Sequence, residues 1–220
     1  MGIVSSTWLL FQKDFRLEVR SLQNLYGIII YAFSTIFILY LSAGQPEATQ
    51  WNALFWITQL FIVVNAVVKS FVGEPHGRYL YYTTLVKPNA YLFSKILVNL
   101  LYMTILGTLS MFAFRFFLGD PIVDGMKFWG ITLLGGLGLT LVFTMLSAIA
   151  SKARQQASLI AILGFPVIIP QVSLLLRLSR AGFGEIFKEG AVLQIVLLLL
   201  GLNALCLLLA SILFPFIWKD

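Results

Sequence analysis

Residues able to do chemistry are scarce in this sequence of 220 residues. The single histidine, His76, stands near Glu74, and the single cysteine, Cys206, lies inside an apolar run. One His and one Cys cannot assemble a zinc site of the usual kind, which takes four such ligands. The same shortage leaves no haem-ligand pair within an apolar segment. A lone cysteine also excludes an intrachain disulfide, so Cys206 reads as a small buried hydrophobe and His76 as a solvated loop residue. No Gly-x-x-x-x-Gly-Lys-[Ser/Thr] loop is present to cradle phosphate, because no such Lys pair follows Gly130, Gly135, Gly136 and Gly138. The expectation is a non-catalytic chain that binds no cofactor or metal of its own.

Two other groups of residues suggest recognition instead of catalysis. Arg78, Tyr79, Leu80, Tyr81 and Tyr82 form a short aromatic element behind the turn-forming Gly73, Pro75 and Gly77, and Lys87-Pro88 ends it. That composition suits a docking surface for another protein, or alternatively an aromatic belt at a membrane interface. The second group is polar: Gln59, Asn65, Asn99, Gln194 and Asn203 interrupt long apolar stretches. Hydrogen bonds between helices are the plain reading, and contact with a transported substrate is the other.

The elements that must carry these residues follow from composition. The chain is 60% hydrophobic and only 11% charged, where soluble domains carry roughly 25% charged residues. A globule of this size cannot hide so much apolar surface, so its solvent is lipid. The charges leave six uncharged windows, at 21–46, 48–68, 96–114, 128–151, 155–176 and 190–218. Each is close to the roughly 20 residues that cross a 30 Å hydrocarbon core as a helix. The predicted fold is therefore an all-α membrane protein, with 1–220 forming a single transmembrane domain. Its helices are expected near 24–43, 51–69, 91–114, 128–150, 156–176 and 191–216. Lys95 and Arg115 bracket the third span, each placed to snorkel to its own interface.

Orientation follows from the basic residues. Lys13, Arg16, Arg20, Lys69, Arg78, Lys87, Lys95, Lys152, Arg154 and Lys219 fall on one side, ten of the fifteen, against Arg115, Lys127, Arg177, Arg180 and Lys188 on the other. The positive-inside rule then puts both termini in the cytoplasm. The net charge of +6 reflects this topology and anionic lipid, since the basic residues flank spans and line no exposed groove for nucleic acid. Before the first span, Trp8, Phe11, Phe15, Val19 and Leu22 recur at helical spacing, with Lys13, Asp14, Arg16, Glu18 and Arg20 on the remaining face. That pattern predicts an amphipathic helix over 1–22, lying in the cytoplasmic interface.

The spans themselves carry no ionisable residue at their centres, which argues against proton- or ion-coupled transport through a titrating side chain. Gly135, Gly136 and Gly138, followed by Ser147, Ala148, Ala150 and Ser151, predict a close-packing face on the fourth span. Pro166 and Pro170 predict a kink in the fifth, which could serve a gate or only packing.

Three stretches resemble the CcmB family, the membrane subunit of the cytochrome c maturation ABC transporter, also called haem exporter protein B. They are Lys13-Asp14-Phe15-Arg16-Leu17-Glu18-Val19-Arg20-Ser21; Ser70-Phe71 with Glu74, Gly77, Pro88, Ser94-Lys95 and Asn99; and Leu134-Gly135-Gly136-Leu137-Gly138 through Ser151-Lys152-Ala153-Arg154 to Phe165-Pro166 and Pro170. The resemblance covers nearly the whole chain. It implies an ABC-2-like permease in the bacterial inner membrane, paired with a separate cytoplasmic ATPase that binds ATP and with a haem-handling membrane subunit. It also implies a periplasmic haem chaperone as partner and two copies of this chain in the complex. Segment 70–90, with Phe71, Glu74, Gly77, Arg78, Tyr79, Leu80 and Tyr81, would receive the ATPase. The work done would be haem export or release of the loaded chaperone. An ABC-2 permease for a lipid, polysaccharide or drug is the alternative with the same fold.

Overall fold

Glycine, proline and one aspartate set most of the observed helix limits. The computed structural model describes residues 3–20, 22–72, 85–150 and 156–219. Helix α1 spans Ile3–Arg20 and α2 spans Leu22–Ala43. Gly44, at φ +60°, takes the left-handed backbone that closes α2, its N–H bonded to the Tyr40 carbonyl at 2.9 Å. Helix α3 spans Ala48–Val72. Helix α4 spans Pro88–Leu118, with proline in the first turn, where its missing N–H costs nothing. Asp124 caps α5, Gly125–Ala150, by accepting the Lys127 N–H at 3.0 Å. Helix α6, Gln156–Ser179, runs on into a 3₁₀ turn at Arg180–Phe183, and α7 spans Ala191–Lys219. No strand occurs among the described residues.

Six of these helices, α2 to α7, are long and apolar enough to cross a bilayer. Consecutive spans alternate in direction. Trp51 at the start of α3 therefore meets Phe114 late in α4, Phe128 early in α5 and Phe183 after α6. At the opposite end Tyr91, early in α4, meets Phe214 and Trp218, late in α7. This second end also holds α1 and is called the terminal end below; the first is the far end.

Helix α4 is longer than its sequence window suggests. Its 31 residues extend about 46 Å, more than the hydrocarbon core requires. Lys95 and Arg115 consequently lie inside the helix, not beyond its ends. Lys95 sits about 10 Å along α4 from Pro88 and is only 6% exposed. Its ammonium does not reach solvent but meets Asp14 of α1 inside the protein.

Helix α5 is the centre of the bundle. Its span is 78% buried, against 17%, 28% and 22% for those of α2, α6 and α7. It packs on α3, α4, α6 and α7. Apolar residues gain little by leaving lipid for protein, so close packing and interhelical hydrogen bonds must hold such a bundle. Gly135 supplies one close approach: a Cβ there would lie 2.3 Å from the Trp56 ring of α3. Gly138 supplies another, where a Cβ would fall 2.0 Å from Gln171 Nε2 of α6 and 2.6 Å from Asn203 Oδ1 of α7. At Gly136 the nearest atom is Met103 Cβ at 3.8 Å, ordinary contact distance, so an alanine would fit there. Helix α6 continues unbroken through Pro166 and Pro170.

Candidate functional site

The terminal end combines features found nowhere else among the described residues. Helix α1 lies along α4 and turns Thr7, Leu10 and Asp14 inward, one residue per turn of helix. Asp14 is 7% exposed. Its Oδ1 lies 2.7 Å from Lys13 Nζ and its Oδ2 lies 3.3 Å from Lys95 Nζ. The second contact is an ion pair and not an aligned hydrogen bond, since Oδ2 has no hydrogen-bond donor of its own. Lys95 Nζ also sits 5.4 Å from the Tyr91 ring centroid, where the π-face adds a cation–π attraction. Tyr91 in turn stacks parallel to Phe214 at 6.1 Å and packs on Trp218 at 5.0 Å. Three separate helices, α1, α4 and α7, thus meet around one buried charge pair.

The sequence pattern places Asp14 with the solvated residues of α1, and the structure corrects this. An aspartate can face inward because a lysine on a different helix arrives to neutralise it. Periodicity within one helix carries no sign of that. The aromatic face of α1 does stand outward: Trp8 stacks on Phe11 at 5.3 Å and Phe11 on Phe15 at 6.1 Å, with Trp8 and Phe15 exposed.

Of the residues read as the docking segment, only part is described. Phe71 belongs to the last turn of α3 by its backbone. Glu74, Gly77, Arg78, Tyr79, Leu80 and Tyr81 lie outside the described residues. The segment re-enters at exposed Leu85 and Lys87 and passes directly into α4 at Pro88, two turns before Lys95.

The far end is built differently. Trp51, Phe55, Phe114 and Phe128 are all fully buried, with ring centroids 5.2–5.5 Å apart. Hydrogen bonds tie this cluster to its loops. Trp51 Nε1 donates to the Gly119 carbonyl at 3.1 Å, and Trp56 Nε1 donates to Ser179 Oγ at 3.0 Å. The Ser179 hydroxyl donates to Asn52 Oδ1 at 2.7 Å, while Asn52 Nδ2 donates to the Leu176 carbonyl at 2.9 Å. The backbone N–H groups of Val123 and Asp124 both reach the Gly182 carbonyl at 3.0 Å.

Among the polar residues singled out in the spans, three bond between helices. Gln59 donates to Ser110, Asn99 to Thr144 at 3.1 Å, and Asn203 accepts from Gln171 at 3.3 Å. Asn65 instead bonds its own helix at the Phe61 carbonyl, and Gln194 is exposed. Sequence reasoning passed over Asn52, Gln171 and Ser179, polar residues in apolar surroundings whose partners lie on other helices. Between α3, α5 and α6 a lateral groove of about 720 Å³ opens, lined by Leu60, Val64, Phe143, Phe165, Ile168 and Val172 with Ser173 among them. Its surface suits hydrocarbon.

Five antiparallel spans packed with a central sixth rich in small residues, preceded by an amphipathic helix clamped through a buried ion pair, define a polytopic membrane protein. The sequence matches the CcmB protein family over residues 5–216, and the chain belongs to that family. Membership makes it the membrane permease subunit of an ABC-type haem exporter serving cytochrome c biogenesis. No curated protein matches the chain at a significant level.

Proposed function

We propose that this chain is the non-catalytic moving part of the exporter, driven by ATP hydrolysis in a separate cytoplasmic subunit. The observation that carries this reading is that residues 85–87, the described end of segment 71–88, lead straight into α4. A contact made on that segment by an ATPase acts on one unbroken 31-residue helix that reaches from the terminal to the far end. Lys95 and Asp14 extend the same displacement to α1, and Tyr91 extends it to α7. Both termini and segment 71–88 face the cytoplasm in this reading, as the distribution of basic residues favours. Two copies would stand against two ATPase subunits, beside a haem-handling membrane subunit of the same system. The outcome would be haem export or release of the haem-loaded chaperone in the periplasm. The carbon surface of the lateral groove offers iron no ligand, which supports a mechanical role for this subunit over haem coordination along that groove.

The test is purification of the assembled complex with Phe71, Glu74 and Tyr79–Tyr81 replaced by alanine. The chain alone should show no ATPase activity. The complex should lose either the bound ATPase subunit or the link between its hydrolysis and maturation of c-type cytochromes. Unchanged cytochrome maturation with the ATPase still bound would overturn the coupling role. Normal maturation in a strain lacking this chain would point to another cargo, such as a lipid.

A further inference from the structure

The outward face of α1 is divided lengthwise into two chemistries. With Thr7, Leu10 and Asp14 turned to α4, helical geometry leaves Val4, Trp8 and Phe15 on one flank and Lys13 and Arg16 on the other. The apolar flank is open: Val4 is 83% exposed and Trp8 55%. On the basic flank, Leu9, Gln12, Lys13, Arg16 and Leu17 line a shallow cleft of about 290 Å³. Leu9 and Leu17 are about half exposed there, so the cleft presents two cationic heads over an aliphatic floor. A soluble partner would leave Trp8 and Phe15 in water, whereas a membrane surface satisfies both flanks together.

We propose that this cleft binds an anionic phospholipid of the leaflet in which α1 lies, with the headgroup phosphate between Lys13 and Arg16 and an acyl chain over Leu9 and Leu17. Charge complementarity selects the occupant, since a zwitterionic headgroup brings its own cation to Lys13 and Arg16. The proposal is independent of the transport reading, as it concerns only the seat of α1. It has a consequence for the buried pair. Lys13 is shared between the cleft and Asp14, so a phosphate that draws Lys13 outward leaves Asp14 with Lys95 as its remaining cation among these three. Lipid charge would therefore tighten the hold of α1 on α4.

The experiment is spin-label lipid association with the full chain in phosphatidylcholine vesicles, comparing labelled phosphatidylglycerol with labelled phosphatidylcholine. The wild type should favour the anionic label by about five- to tenfold, less than two unshared basic residues would give at such a surface, because Asp14 also holds Lys13. R16Q alone should remove the larger part of that preference, since Arg16 is not shared with Asp14, and K13Q/R16Q nearly all of it. R177Q/K188Q, on loops or helix ends of the far end, should leave it unchanged. The preference should also fall with added salt. R16Q changes an exposed residue and keeps the test valid should K13Q disturb the Asp14 pair. An undiminished preference in both cleft variants, or no preference in the wild type, overturns the proposal. So does loss of a partner subunit from the complex in K13Q/R16Q with lipid preference intact, which would make the cleft a protein contact.

Discussion

The two ends of this bundle are closed by opposite means. The far end is a plug of interlocked aromatic rings, tied to its loops by hydrogen bonds whose donors are neutral. The terminal end is held by one ion pair between α1 and α4, backed by Tyr91, Phe214 and Trp218. Ring packing is short-ranged and has one good arrangement. An ion pair in a low-dielectric site is different: it is strong when made, and it leaves two costly charges when parted. The first arrangement suits a fixed point and the second suits a joint with two discrete states. Under the proposed coupling through the segment that precedes α4, the joint lies at the driven end.

The sharpest way to break this comparison is to part the charges. D14A should destabilise the protein by roughly 3–5 kcal/mol, because it removes the carboxylate that faces the buried Lys95, and K95A by less, because Asp14 keeps Lys13. Thermal unfolding in detergent should show each single variant melting below the wild type, with D14K/K95D recovering part of the loss. A swap that recovers nothing, or single variants with wild-type melting, would mean that the pair does not organise this end.

At the far end the corresponding change is steric. G135A drives a methyl group into the Trp56 ring and strains the Trp56–Ser179 hydrogen bond, an overpacking cost of about 1–3 kcal/mol. G136A, one residue on, should be near neutral, and the pair of variants isolates the close approach from helix propensity. Comparable losses in both would remove Gly135 from its assigned place.

The smallest effect is electrostatic and also belongs to the far end. The Lys127 backbone N–H and ammonium, both bonded to the Asp124 carboxylate, hold its pKa below the ordinary aspartate value. A depressed folded pKa means that the cap's contribution is complete above the unfolded-state value and disappears as pH falls through the lowered one. D124N keeps a capping side chain but no titrating charge, so its melting temperature should fall less steeply than the wild type's on acidification. Asp124 is only partly buried, so the difference should be slight; parallel curves would assign the acid sensitivity elsewhere.

Much of the fold was legible because lipid imposes a simple rule on sequence. The six uncharged windows each overlap an observed spanning helix, and Gly44, Pro88 and Asp124 end or start helices for local reasons. The glycines of α5 signal close packing, yet which glycine matters depends on the facing side chain: Trp56 against Gly135, Gln171 and Asn203 against Gly138, and only Met103 at ordinary distance from Gly136. The candidate site was less legible. Asp14 and Lys95 stand 81 positions apart in sequence and on different elements, and each has a blander local explanation.

By itself, then, the sequence determined the solvent, the number of spans, the amphipathic lead-in and the family, because hydropathy and motif order are written residue by residue. The tertiary structure alone decided that Lys95 is buried, that Asp14 faces inward, and that Asn52, Ser179 and Trp56 form one bonded chain at the far end. Those features depend on which helices touch. In a membrane, where one apolar face is as well solvated by lipid as the next, the choice among contacts falls to a few glycines, polar pairs and one buried ion pair.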